Sequence, residues 1–413
     1  MRISVRITPV ATAVLLLLVN CSSRVVQSFV VPHPHSGRLS AVQVKAGEEE
    51  SSSPSVATAS STKVKEIGLL TFDLDDTLYP IAPVVRDAND AFVKAMERYG
   101  FDGVNAFDIV NTGMKVREEL ALTDPEKAAG LTHTEIREMA IRREMERIIF
   151  ERKLKETADD WATPVEDLSP IVKKHAQNWA RAEVSESVLQ QVLTSWEMER
   201  HHSAERHLFP GVVDALKKIK QEHPNVIIGA VTDGRANPKL MTFTLAPYFD
   251  FCMSWEDEQG GRQKFFRELN KVESTPELTW IYDAARHKYA LLKQAQDAIS
   301  SVKNNEEIKP LVWPDSYDDL VWIHVGDDLA FDVGGSAACG AKTILVELPK
   351  SSGQTAPFRF DTNIKQPDWA TTTKQELESR IRMNEVAREM VSVEINSLER
   401  LPIAINQILR DEA

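Results

Sequence analysis

The chain has 413 residues, enough for a leader and one large domain, or for a domain carrying an inserted one. With 42% hydrophobic and 27% charged residues it has the make-up of a globular enzyme, and its net charge of −13 argues against nucleic acid or an anionic membrane as partner. The three cysteines, Cys21, Cys252 and Cys339, suit free thiols better than a disulfide framework.

No Asp or Glu precedes Glu48, whereas Arg2, Arg6, Arg24, Arg38 and Lys45 do. The apolar residues 10–19 follow two arginines and are too short to span a bilayer, the layout of a secretory signal. Residues 28–38 are basic and bear Ser and Pro, as transit peptides do. The tandem resembles the bipartite leaders of algae with complex plastids, where a Phe, here Phe29, opens the transit part. That likeness implies delivery to a plastid, with secretion as the alternative. Residues 1–62 are thus expected to be a signal and transit presequence followed by a disordered linker, whose Ser51-Ser52-Ser53-Pro54 is linker-like. No stable membrane span is expected in the mature chain.

The short apolar run 67–72 reads as a buried strand and stops at Asp73-Leu74-Asp75-Asp76-Thr77. Carboxylates at the end of such a strand stand where open α/β sheets bind ligands. Their two-residue spacing lets Asp73 and Asp75 flank one point as the strand unwinds. Acids this close repel unless a cation or a protonated partner neutralises them, and hard oxygen donors select Mg2+.

From Pro80 to about Arg206 the pattern is helical, with capping signatures at Thr123-Asp124-Pro125-Glu126, Thr132-His133-Thr134-Glu135 and Thr163-Pro164-Val165-Glu166. So long a helical run without a strand signal predicts an inserted lid over the carboxylates. Arg137, Arg142, Arg143, Arg147, Arg152 and Lys153 interleave with Glu144, Glu146 and Glu151 as on a solvated helix. The functional alternative is that one of these arginines enters the cleft to hold a second substrate group.

After Leu208-Phe209-Pro210-Gly211 a helix over 212–221 leads to a strand over 226–231, which ends at Thr232-Asp233-Gly234. A hydroxyl there can bind phosphoryl oxygens. A third strand, 249–254, runs into Gly260-Gly261-Arg262-Gln263-Lys264; Lys264 is the candidate cation and Lys271 its competitor. A helix starts at Ile281, and the fourth strand, 320–325, ends in Gly326-Asp327-Asp328, with Asp332 beyond it. His324, inside that strand, reads as a core or wall histidine. A helix over 333–339 stops at Gly340, a fifth strand covers 343–346, and residues 373–409 read as one or two helices without visible chemistry.

Strand ends bearing Asp, Thr, Lys and Asp, with helices between, predict a doubly wound parallel α/β sheet set up for phosphoryl transfer to a carboxylate. Asp73 is the expected nucleophile and Asp75 the acid and base. Mg2+ is expected on Asp73, the Asp75 backbone carbonyl and Asp327. Thr232 and Lys264 would hold phosphoryl oxygens, Asp332 would orient Lys264 or a metal-bound water, and Asp328 is either a supporting residue or an exposed turn residue.

The set Asp73-x-Asp75-x-Thr77, Thr232, Lys264 and Gly326-Asp327-Asp328-x-x-x-Asp332 resembles the haloacid dehalogenase-like (HAD) hydrolases. This likeness implies a Rossmann-like core over 63–79 and 208–349, an all-helical cap over 80–207, a helical tail over 350–413 packing on the core, and Mg2+-dependent phosphatase activity on a small phosphorylated metabolite. Thr77 falls in the motif as a supporting residue. Residues 70–79 and 324–335 look like the bacterial phosphatase of 5-amino-6-(5-phospho-D-ribitylamino)uracil and FMN. Asp-Asp-Thr-Leu-Tyr-Pro also resembles pyrimidine 5′-nucleotidases, and sugar-phosphate or phosphoglycolate-type phosphatases are a further alternative. Asp75 argues against dehalogenation. A phosphomutase and a non-catalytic scaffold of the same fold are the rival readings, and the oligomeric state is left open.

Overall fold

Six of the seven residues of β1 (Glu66–Phe72) are buried, as expected of a strand covered on both faces. In the computed structural model, which describes residues 65–256, 280–304, 320–355 and 374–412, β1 lies at the centre of a six-stranded sheet. The order is β3-β2-β1-β4-β5-β6, with β2 Ile227–Thr232, β3 Phe251–Ser254, β4 Leu320–Gly326, β5 Lys342–Val346 and β6 Val393–Ile395. Every pairing is parallel. Strand order turns back at β1, which puts the carboxyl ends of β1, β2 and β4 around one crevice.

Alternation along the strands feeds two cores. Leu70, Phe72, Ile228 and Ala230 pack with α7 (Val212–Glu222) and α10 (Leu401–Asp411) on one face. Leu69, Ile227 and Val231 pack with Ile281, Tyr282 and Ala285 of α8 (Trp280–Lys303) on the other. The sheet is doubly wound, as the alternation of strands and helices predicts.

The helical insert comprises α1 (Ile81–Arg98), α2 (Ala106–Thr123), α3 (Pro125–Gly130), α4 (His133–Asp160), α5 (Pro170–Glu183) and α6 (Glu186–Arg206). Phe92 and Met96 of α1, Ile141 and Met145 of α4, and Leu189 and Val192 of α6 form an apolar core of its own. Thr132 and Glu135 form the expected capping box at the start of α4. Before α3 the cap is Asp124, not Thr123, and Thr163-Pro164 precedes only a three-residue turn.

Two expectations are corrected. The helix foreseen over 333–339 is a turn of π-helix, Leu329–Gly335, running into a short α-helical turn, Ser336–Ala338. The tail is not helical throughout: after α9 (Lys374–Ala387) it adds β6 to the sheet edge, and Leu398, Leu401, Ile405 and Ile408 enter the main core. Gly340, at φ +91°, ends the short turn as foreseen. Cys252 and Cys339 form no disulfide among the described residues, and the Cys252 thiol donates to the Ala236 carbonyl. No helix among the described residues is long and apolar enough to cross a membrane. Residues 1–62, with Cys21, lie outside the described residues.

Candidate active site

The β1–β4 ladder continues past the strand: the Asp73 N–H donates to Val325 O at 2.9 Å. This holds Asp73 beside the end of β4, where Asp327 follows Gly326. The chain then turns sharply at Asp76, whose φ of +62° lies in the left-handed region. The Asp76 carboxylate accepts from the Ile81 N–H at 2.9 Å, capping α1, and from the Thr355 N–H at 3.1 Å and hydroxyl at 2.5 Å. Gln354 Nε2 donates to the Asp76 carbonyl at 3.0 Å. Of the three acids grouped by sequence, Asp76 thus fixes the turn rather than facing the crevice.

Asp73, Asp327 and Asp332 each bring a carboxylate oxygen within 4.8 Å of the others, a set able to share one cation. The Thr77 hydroxyl lies between two of them, 2.7 Å from Asp327 Oδ1 and 3.1 Å from Asp73 Oδ2. Gly326 is required by close approach: a Cβ there would stand 2.2 Å from the Asp332 carboxyl carbon. Asp332 Oδ2 accepts from the Asp328 N–H at 2.9 Å, and Tyr282 donates to Oδ1 at 3.2 Å. His324, fully buried as foreseen, has Nε2 3.4 Å from Asp332 Oδ1 and Nδ1 2.8 Å from the Thr71 hydroxyl. Asp332 therefore stands in the acidic set itself, held from behind by aromatic and imidazole groups.

Burial pushes the Asp73 carboxyl well above the ordinary carboxylate range, and the charges of Asp332 and Asp327 push it further. A cation would offset these crowded charges, and the set's hard oxygen donors fit Mg2+, whose preference for retained waters suits a site of few protein ligands. The Asp75 side chain forms a buried ion pair with Arg200 of α6. Burial raises the Asp75 carboxyl and Arg200 opposes that rise. Arg200 also lies against the turn after β2, where a Cβ on Gly234 would meet its guanidinium at 3.1 Å.

Thr232 ends β2 as expected, and its hydroxyl is buried without a hydrogen-bond partner among the described residues. Lys264 and its competitor Lys271 lie outside the described residues. Asp328 is buried: its Oδ1 caps the π-helical turn through the Phe331 N–H at 2.8 Å, and Arg380 of α9 donates to Oδ2 at 2.6 Å. The Arg380 guanidinium also stacks 3.5 Å over Phe331. Arg200 and Arg380 were not singled out by sequence. Each sits on a helix among other charges, and no local pattern distinguishes an arginine that turns inward.

No protein-family model matches the chain, and no curated protein matches it in sequence. Solved structures similar to it are HAD-superfamily hydrolases. One is the 2-haloacid dehalogenase from Pseudomonas syringae pv. Tomato DC3000, at 18% identity and a TM-score of 0.41, over 83% of this chain and 99% of that one. Another is the HAD-hydrolase YfnB from Bacillus subtilis bound to magnesium, at 13% identity and a TM-score of 0.33, over 83% and 100%. A third is a phosphonoacetaldehyde hydrolase-like protein from Oleispira antarctica, at 15% identity and a TM-score of 0.34, over 87% and 98%. Likeness at this level does not carry an activity across.

Proposed function

We propose that the protein is a Mg2+-dependent phosphatase of small phosphomonoesters that works through an aspartyl-phosphate on Asp73. The observation that carries this reading is the convergence of Asp73, Asp327 and Asp332 on one point at the carboxyl edge of the sheet. The buried, unpartnered Thr232 hydroxyl at the end of the adjacent strand supports it.

Asp73 and Asp327, with the Asp75 backbone carbonyl, would hold Mg2+, with Asp332 beside them. When bound, the ion offsets the crowded carboxylates and shields the incoming phosphoryl group. An Asp73 oxygen attacks phosphorus as the bond to the ester oxygen breaks, and Asp75 gives that oxygen its proton. Water then attacks the phosphorus, Asp75 takes the water's proton, and the Asp73–phosphorus bond breaks to release phosphate. Burial of Asp75 favours the protonated form it needs for the first step. Thr232 donates to a phosphoryl oxygen, and Lys264 is the proposed second holder. Arg200 engages Oδ2 of Asp75, and Oδ1, which has no hydrogen-bond partner among the described residues, is the oxygen left for proton transfer.

Phosphate release from esters with and without Mg2+ tests the reading. Asp73→Asn is expected to lower turnover by at least about a thousandfold; a variant with full activity contradicts the nucleophile assignment. The substrate panel starts with 5-amino-6-(5-phospho-D-ribitylamino)uracil and FMN, from the sequence likeness, followed by pyrimidine nucleotides and sugar phosphates. The basic, acid-free leader supports plastid delivery, and a fluorescent fusion of the full chain tests that against secretion.

A further inference from the structure

Arg142, Arg143, Arg147 and Lys153 on α4 pair with glutamates, and Arg152 donates to the Gly100 carbonyl. For these residues the solvated-face reading holds. Arg137 departs from it: the side chain is half-buried and makes no hydrogen bond or ion pair among the described residues. Its guanidinium stacks 3.9 Å over the Trp196 ring. Trp196 lies one helical turn before Arg200 on α6 and is itself held by a 3.1 Å bond from its Nε1 to Asn89.

The first turn of α4 meets the core at the sheet's carboxyl edge, since the Thr134 N–H donates to Glu256, just past β3. Arg137 therefore stands at the cap–core seam, beside the crevice and close enough to Arg200 for each charge to bear on the other. Burial, with Arg200 next to it, pulls the Arg137 guanidinium down to about 10, so it is still a cation at neutral pH. Glu256 offsets part of this, but among the described residues no carboxylate touches the Arg137 guanidinium, and a half-buried cation near a second cation is costly until an anion arrives.

We infer that Arg137, together with Arg200, is a cap-borne subsite for a second anionic group on the leaving side of the substrate. The substrate class is then a phosphomonoester that also bears a carboxylate or a second phosphate; a guanidinium fork suits either. This inference rests on the phosphatase reading of Asp73. It ranks esters with uncharged leaving parts, FMN among them, below acid-bearing ones.

The test is calorimetric binding, in Mg2+, to the Asp73→Asn protein, with two matched pairs. 3-Phosphoglycerate is compared with glycerol 3-phosphate, and fructose 1,6-bisphosphate with fructose 6-phosphate. In at least one pair the doubly anionic member is expected to bind at least about tenfold tighter, the worth of one charge-assisted contact. Which pair responds distinguishes a carboxylate from a second phosphate. Arg137→Met keeps an apolar stem over Trp196 and is expected to bring the ratio close to one, while Arg137→Lys retains part of it. Equal affinities within both pairs, or equal losses on both members in Arg137→Met, overturn the subsite. Thermal melting checks that each variant folds, and Arg137→Lys carries the comparison if Arg137→Met does not. Wild-type protein that binds with this preference yet hydrolyses none of the four esters counts against the phosphatase reading and not against the subsite.

Discussion

With no cation bound, Asp73 is most at ease protonated, because burial, Asp332 and Asp327 all raise its carboxyl. A raised carboxyl favours the folded state at low pH, and that contribution is lost as pH rises through the folded value. Metal-free protein at neutral pH therefore carries a penalty that Asp73→Asn removes. In EDTA at pH 7 the variant is expected to melt above wild type by about 2 °C or more, and the gap is expected to close as pH falls toward the ordinary carboxylate range. Mg2+ should raise the melting temperature of wild type more than that of the variant. A gap that widens on acidification contradicts the raised carboxyl. At this scale the sequence was partly legible. Asp73, Thr232, Asp327 and Asp332 stand out because each ends or follows an apolar strand. Arg200 and Arg380 carry no such mark, since only the packing of α6 and α9 turns them toward Asp75 and Asp328.

The π-helical turn Leu329–Gly335 bears Asp332 and is fixed from two sides. Gly326 leaves room for the Asp332 carboxylate, and Gly326→Ala puts a methyl group where that carboxylate lies. Activity is expected to fall at least about a hundredfold, with a higher Mg2+ requirement, as for a positioning error of about 1 Å; a Mg2+ titration of turnover checks it. On the other side, Arg380→Ala leaves Asp328 buried without its guanidinium. Breaking such a pair costs about 3–5 kcal/mol, read as a lower denaturant midpoint at constant slope. A loss within error places Arg380 outside the fold's support. Arg380 was not legible in the tail because α9 reads as a polar helix whose inward arginine matches its exposed neighbours. β6 escaped notice for a different reason: at three residues, Val393–Ile395, it is too short to show alternation.

Across the whole molecule the tail is part of the sheet domain's architecture. β6 forms one edge, while Leu398, Leu401, Ile405, Ile408 and Leu409 join the main core, with α10 against β6 and α7. Each buried side chain of this size contributes about 2 kcal/mol, so the five together contribute about 10 kcal/mol, comparable to the whole margin of about 5–15 kcal/mol that holds a domain folded. A chain ended after residue 355 is expected to be insoluble or to lack cooperative melting by circular dichroism. A soluble, active truncation contradicts this account of the core. The doubly wound architecture itself was legible, because parallel strands buried on both faces leave continuous apolar runs. The Arg200–Asp75 pair that ties the foreseen lid to the core was not, since it joins residues far apart in the chain.

Everything proposed for the site depends on Asp73 becoming covalently phosphorylated. Acid quench of the enzyme during turnover with Mg2+ and a hydrolysed ester, followed by borohydride reduction and peptide mass spectrometry, reads this directly. Reduction of Asp73 to homoserine, dependent on substrate and Mg2+, is the predicted result. Steady turnover with Asp73 unmodified, or with the reduced residue elsewhere, contradicts the account.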